Sequence, residues 1–229
     1  MEKENLIRPS LLSADFTSLE SDIDEMIRYS ITSAHFDVMD GSFVDQISFG
    51  QPIFKSLLNK YKDKINFDVH LMTVNPLKQV ESFYQAGSKD ITFHYEAYYK
   101  GYRKLEEYKK QHSDLKLGIA ISPRTHVEEI FSILDIFEQV LVMSVEPGKG
   151  GQPFIEGSEI KINMLDKYRK ERKLNYIIGV DGGINDKTGH LCAINGADYL
   201  VAGSYYFKAE NREESLKKIH DQINSHDNY

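Results

Sequence analysis

The chain has one cysteine, Cys192, in 229 residues. No internal disulfide can form, and a reducing, cytoplasmic setting is the simplest expectation. Cys192 does not read as a nucleophile either, because Gly189-His190-Leu191-Cys192-Ala193-Ile194 has the pattern of a helix face, which makes the thiol core filling. Positive charge is also short: 28 Lys and Arg stand against 35 Asp and Glu, a net charge of −7. A nucleic-acid binder needs a basic stripe to displace counterions, and none is visible. No apolar run approaches the roughly 20 residues that cross a bilayer, so no membrane partner is expected. Residues 1–5 lack the apolar stretch of a signal peptide.

Two glycine signatures are missing as well. After the first strand the chain reads Ser10-Leu11-Leu12-Ser13-Ala14-Asp15, not the Gly-x-Gly-x-x-Gly of a dinucleotide-binding sheet. The Gly-rich segment around Gly148-Lys149-Gly150-Gly151 is not followed by Gly-Lys-Ser/Thr at the spacing of an NTPase loop. No Pro- or Ser-rich linker interrupts the chain, so residues 1–229 are expected to form one domain.

What is present is a strict alternation of patterns, with 41% hydrophobic residues to supply a core. Strand-like runs at 6–13, 34–39, 66–72, 91–95, 117–122, 139–145, 176–180 and 199–202 are each followed by helical spacing. The helices are expected near 18–29, 51–61, from Pro76 onward, 102–110, 127–137, 159–172, 187–195 and 213–223, with a polar, frayed tail at 225–229. Continuous apolar strands are those of a parallel sheet buried on both faces. Eight such units predict a single (β/α)₈ barrel, with a doubly wound open sheet as the runner-up because local pattern cannot show whether the last strand meets the first.

Acid and imidazole gather at the strand ends. Ala34-His35-Phe36-Asp37-Val38-Met39-Asp40-Gly41, Phe67-Asp68-Val69-His70-Leu71-Met72 and Ile177-Ile178-Gly179-Val180-Asp181-Gly182-Gly183 each begin apolar and end in His or Asp. His35 and Asp37 are two apart and share a strand face. The set His35, Asp37, His70 and Asp181 suits one borderline divalent ion: zinc, iron(II), manganese or cobalt. Asp68 shares a face with His70 and reads as a support behind the ligands, whereas Asp40 reads as a turn former. Met39, Met72 and Met143 either wall the metal or fill the core.

The loops after the last two strands carry Asp181-Gly182-Gly183-Ile184-Asn185 and Val201-Ala202-Gly203-Ser204. In barrels these loops often hold a phosphate through backbone N–H groups and a helix N-terminus, so a phosphorylated substrate is expected at Gly182, Gly183, Gly203 and Ser204. The stretch Val145-Glu146-Pro147-Gly148-Lys149-Gly150-Gly151-Gln152-Pro153-Phe154 reads as a lid with glycine hinges, with Gly148, Gly150 and Gly151 offering N–H donors and Lys149 a solvated surface lysine.

These pieces together resemble the ribulose-phosphate 3-epimerase family. The resemblance runs from Pro9-Ser10-Leu11-Leu12-Ser13-Ala14-Asp15-Phe16 to Val201-Ala202-Gly203-Ser204 and includes Met143-Ser144-Val145-Glu146-Pro147-Gly148 and Gly150-Gly151-Gln152. It implies that His35, Asp37, His70 and Asp181 hold the metal and that Asp37 and Asp181 also form the acid/base pair. It further implies that Ser10 and His70 meet the substrate, and that the reaction interconverts D-ribulose 5-phosphate and D-xylulose 5-phosphate in pentose phosphate metabolism. A homo-oligomer is expected on the same ground. The chain departs from the family pattern at Asp45-Gln46, where Pro-Asn is usual, and at Lys149, where an apolar residue is usual. Both departures bear on the lid and on fine substrate preference. Three rivals remain open: an epimerase for a ketohexose 6-phosphate such as D-allulose 6-phosphate, a metal-dependent lyase or decarboxylase, and a catalytically dead phosphate-binding barrel. Against the lyase, related decarboxylases carry Asp-x-Lys-x-x-Asp, where this chain has Asp68-x-His70-x-x-Thr73.

Overall fold

Strands that are apolar at nearly every position must be covered on both faces, and a closed parallel barrel within a ring of helices does this. A computed structural model of the chain, describing residues 6–98 and 102–224, has that architecture. Its strands are β1 (Ile7–Pro9), β2 (Ser33–Met39), β3 (Asn66–Met72), β4 (Asp90–His94), β5 (Lys116–Ile121), β6 (Gln139–Met143), β7 (Ile177–Asp181) and β8 (Tyr199–Ala202). The sheet order is β1-β8-β7-β6-β5-β4-β3-β2, every pair parallel. A parallel bridge between Ser10 and His35 joins the two ends of that order, which decides for the barrel over the open sheet. The expectations for residues 1–5 and 225–229 lie outside the described residues.

The helices are α1 (Leu19–Arg28), α2 (Gln51–Tyr61), α3 (Pro76–Gln85), α4 (Tyr95–Tyr98), α5 (Tyr102–Gln111), α6 (Ser158–Arg172), α7 (Asp186–Ile194), α8 (Ser204–Phe207) and α9 (Arg212–Asn224). Pro76 opens α3 after Asn75, as its fixed φ and missing N–H favour. Cys192 is buried in α7, as core filling.

Several elements differ from the sequence expectation. Residues 127–137 form two 3₁₀ segments, Val127–Glu129 and Phe131–Ile136, where an α-helix was expected. The buried Val127, Ile130, Ile133, Leu134 and Phe137 suit either period, so the apolar spacing alone does not separate the two helix types. The first strand stops at Pro9, and Leu11–Ser13 coil into a 3₁₀ turn that brings Ser10 and Ser13 to the barrel mouth. Tyr95, expected to end the fourth strand, instead starts α4.

Most apolar packing lies between the strands and the helices, where Phe36, Phe54 and Phe83 meet edge to face. Inside the barrel a small cluster of Ala120, Leu141, Met143, Val145, Tyr199 and Val201 sits beside a buried polar plug. There the Arg8 guanidinium lies 3.5 Å over the Tyr199 ring and donates to Asp68 Oδ2 at 2.8 Å. Gln139 Nε2 donates to Asp90 Oδ1 at 2.9 Å and to Asp68 Oδ1 at 3.3 Å. The plug is the floor on which the site stands.

Candidate active site

Register assembles the site. In the β2–β3 ladder His35 lies opposite Asp68, Asp37 opposite His70 and Met39 opposite Met72, while Met143 of β6 lies opposite Asp181 of β7. Inward-pointing residues of neighbouring strands therefore stack in layers.

His35, Asp37, His70 and Asp181 each direct one ligand atom into a common space, all within 4.8 Å of one another. His35 Nε2 lies 3.2 Å from His70 Nδ1 and 3.2 Å from Asp37 Oδ1. Asp37 Oδ1 is 3.1 Å from His70 Nδ1, and Asp181 Oδ2 is 3.7 Å from each imidazole nitrogen. Ligands about 2.0–2.1 Å from one ion stand about 3.3 Å apart on a tetrahedron, so this spacing fits a shared metal. The second ring nitrogen of His35 agrees: Nδ1 is 3.1 Å from Asp68 Oδ2, which leaves Nε2 free to coordinate.

The electrostatics are those of opposed groups in a buried space. Burial works to raise the Asp37 carboxyl, but the facing His35 and His70 outweigh it and hold it well below the usual range. Burial also works to lower His35, and the Asp37 and Asp68 carboxylates instead raise it well above its ordinary value. Asp181 is pushed up to about 7, first by burial and then by the charge on Asp37. Burial lowers both His70 and His94 from the ordinary imidazole value.

Above the four side chains opens a cavity of about 500 Å³ lined by Ser10, Asp37, Met39, Met72, Met143 and Asp181. The three methionines thus stand at the mouth. The same cavity is lined by Gly148, Gly150, Gly151, Gly182, Gly183, Gly203 and Ser204, so both Gly-rich loops and the 145–154 segment face one space. His35 and His70 are fully buried. Gln152 Nε2 donates to the carbonyls of Glu146 (2.6 Å) and Lys149 (2.8 Å), folding that segment back on itself. At Gly203 a Cβ would stand 2.6 Å from Ser13 Oγ, so a side chain there would force the Ser13 hydroxyl to turn away. Asn185 caps α7 by accepting from the N–H groups of Lys187 and Thr188, which engages two donors that an anion could otherwise use. Asp40 Oδ1 accepts from the N–H groups of Ser42 and Phe43, the bonds of a turn former, and Oδ2 accepts from the N–H of Val74, which ties this loop to the one after β3.

Sequence reasoning missed four side chains. Lys208, one turn beyond Ser204, and Ser13 line the cavity. His94 lies beside His70, and Glu96 lies beside His94. His94 closes β4 just as His70 sits near the end of β3, so the strand-end pattern that found the others applied to it as well.

The fold is that of several solved barrels. A 3-keto-L-gulonate-6-phosphate decarboxylase from Vibrio cholerae superposes with a TM-score of 0.70 at 14% identity, over 96% of this chain and 97% of that one. A 3-hexulose-6-phosphate synthase from Salmonella typhimurium gives 0.70 at 14% identity, over 96% and 99%. Sequence relatives are nearer. Ribulose-phosphate 3-epimerase from Treponema pallidum is 38% identical over 93% of this chain and 95% of its own length. The Schizosaccharomyces pombe enzyme of that name is 36% identical over 95% and 93%. The cytoplasmic isoform from Oryza sativa is 36% identical over 97% and 96%. The profile described as the ribulose-phosphate 3 epimerase family matches residues 6–207, the whole barrel from β1 through α8. A barrel of this topology, His and Asp at these strand ends and identity along almost the full length converge, and the chain belongs to the ribulose-phosphate 3-epimerase family.

Proposed function

We propose that the protein is a metal-dependent epimerase that interconverts D-ribulose 5-phosphate and D-xylulose 5-phosphate by proton transfer at C3 through an enediolate. The observation that carries this reading is the meeting of Asp37 and Asp181, from β2 and β7, with two imidazoles at the floor of a cavity whose rim is two Gly-rich loops. Family membership supports the same activity.

Inverting a carbon beside a ketone needs a base on one face and an acid on the other. A carboxylate near pKa 4 faces a C–H roughly 15 units weaker as an acid, a gap on the order of 20 kcal/mol. His35, Asp37, His70 and Asp181 would hold a divalent ion, one of zinc, iron(II), manganese or cobalt, which when bound would supply Lewis-acid stabilisation of the charge that develops on the substrate oxygens. Asp37 and Asp181 take the proton from C3 and return one to the opposite face, their roles exchanging with the direction of reaction. Ser10 holds Asp37 Oδ2 at 2.6 Å, which fixes the direction of that carboxylate. Backbone N–H groups at Gly182, Gly183, Gly203 and Ser204 hold the phosphate, Lys208 adds a cation at the same wall, and the segment 145–154 excludes water.

Among the described residues no helix is long and apolar enough to cross a membrane. A cytoplasmic location is part of this reading, supported by the name of the Oryza relative. So is a homo-oligomer: Phe16, Ile47 and Val74 are exposed apolar side chains on the loops after β1, β2 and β3.

The test is turnover of D-ribulose 5-phosphate before and after chelation. The expected result is rapid epimerisation that chelator abolishes and a divalent ion restores. Faster turnover of D-allulose 6-phosphate would move the assignment to the hexulose phosphate, and no turnover of either would end it.

A further inference from the structure

His70 points Nδ1 at Asp37 and at the other ligand atoms, so Nε2 is its outer nitrogen. That nitrogen lies 2.9 Å from Nε2 of His94, and Nδ1 of His94 lies 3.0 Å from Glu96 Oε2. A neutral imidazole carries one proton, and a ring whose Nδ1 gives its lone pair to a metal must carry that proton on Nε2. His70 then donates to Nε2 of His94, which must accept, and His94 must carry its own proton on Nδ1 and donate it to Glu96. Every proton in the row has one place.

The far end of the row is anchored. Glu96 Oε1 accepts from the Ser122 N–H at 2.7 Å and from the Thr125 hydroxyl. Lys161 ties that loop down by donating to the carbonyls of Ser122, Pro123 and Thr125. Burial works to raise Glu96, but the bonds from His94, Thr125 and Ser122 outweigh it and hold the carboxyl down at about 2, so it is ionised. His94 is fully buried, its ring centre 5.0 Å from that of His70 with the two planes 27° apart, so that the rings meet at their nitrogen edges, and Phe43 covers it at 4.8 Å.

We propose that Glu96 and His94 are positioning residues for the metal site, fixing Nδ1 of His70 as the coordinating nitrogen and strengthening it as a donor. Asp68 does the same for His35 by direct contact; Glu96 does it through one intervening imidazole. Outer partners of this kind are typically worth 10–100-fold in metal affinity. The proposal rests on the metal reading of the four-residue cluster.

Co(II) is the probe, its affinity measured by competition with a chelator and its ligands read by proton NMR. The wild type should show two exchangeable imidazole N–H resonances shifted by the paramagnetic ion, one from His35 and one from His70. Glu96→Gln keeps the size and removes the charge, and should weaken Co(II) binding by roughly 10–100-fold. His94→Phe removes the acceptor altogether, and should weaken binding at least as much while the His70 N–H resonance is lost to exchange. Arg212→Met breaks the bridge to Asp22 and Glu25 far from the site, and should lower Tm with Co(II) affinity unchanged. Equal loss of affinity in Arg212→Met would reduce the Glu96 effect to general destabilisation and overturn the proposal. Wild-type affinity with both resonances intact in Glu96→Gln and His94→Phe would overturn it directly. A wild-type chain that binds no Co(II) would overturn the metal reading with it.

Discussion

The Ser10 hydroxyl donates to Asp37 Oδ2 at 2.6 Å, while the backbone of Ser10 pairs with that of His35. The seam that closes the barrel therefore also aims one of its two carboxylates. Oδ1 of Asp37 faces the two imidazole nitrogens, so the Ser10 bond governs the other oxygen.

Ser10→Ala should lower kcat for D-ribulose 5-phosphate by roughly 10–150-fold, the scale of a lost hydrogen bond to a charged group at ~1.5–3 kcal/mol. The backbone bridge does not use the hydroxyl, so Tm should fall by only a few degrees. Steady-state kinetics would decide it, and a kcat within twofold of wild type would show that the hydroxyl does not aim the carboxylate.

Asp37→Asn and Asp181→Asn should each reduce turnover by well over the ~10²–10⁴ assigned to acid–base catalysis alone, because each removes a proton carrier and weakens the metal site. Wild-type turnover in heavy water should place deuterium at C3 of the product. Near-normal turnover by either variant would remove the two-carboxylate mechanism, and a product that keeps its original hydrogen would mean direct transfer without exchange.

Much of this was legible because the fold and the site share one signal. Apolar runs that end in His or Asp mark strands and ligands together, and strand register alone carries Asp37 to His70. Closure was not legible, since it depends on a bridge between Ser10 and His35, 25 residues apart and written in no local pattern. The fifth unit was misread because Val127, Ile130 and Ile133 also suit an α-helical face, and only the packed backbone separates 3.0 from 3.6 residues per turn. The polar plug escaped for a different reason. Arg8, Asp90, Gln139 and Tyr199 come from four separate strands, and no spacing joins them.

That plug predicts a pH dependence of stability in metal-free protein. Asp90 is raised from 3.8 to about 7, first by burial and then by the charge on Asp68. Between those values the native chain holds a proton that the unfolded chain has lost, so stability falls as pH rises through that window. Asp181 acts in the same sense. Asp90→Asn removes the Asp90 contribution, so between pH 5 and pH 8 it should lose less stability than the wild type, by on the order of 2 kcal/mol. Urea unfolding at the two pH values measures this. The same pH slope in both proteins would show that Asp90 stays ionised.

The last prediction concerns the phosphate. With the loops at Gly182-Gly183 and Gly203-Ser204 on one wall of the cavity, binding energy from the dianion is available at the reacting carbon. Free D-ribulose should therefore show a kcat/KM lower than D-ribulose 5-phosphate by several powers of ten, with closure of the 147–154 segment carrying part of the difference. Ser204→Ala should be mild, because the backbone N–H groups remain. Gly203→Val should be severe: even a Cβ there would stand 2.6 Å from Ser13 Oγ, and the branched side chain would crowd the cavity wall that Gly203 forms. Its loss should fall on the phosphorylated substrate far more than on the free sugar, which separates a blocked phosphate site from a damaged metal site. Equal kcat/KM for the two sugars in the wild type would mean that the phosphate is not held by these loops, and the assignment to a sugar phosphate would have to be withdrawn.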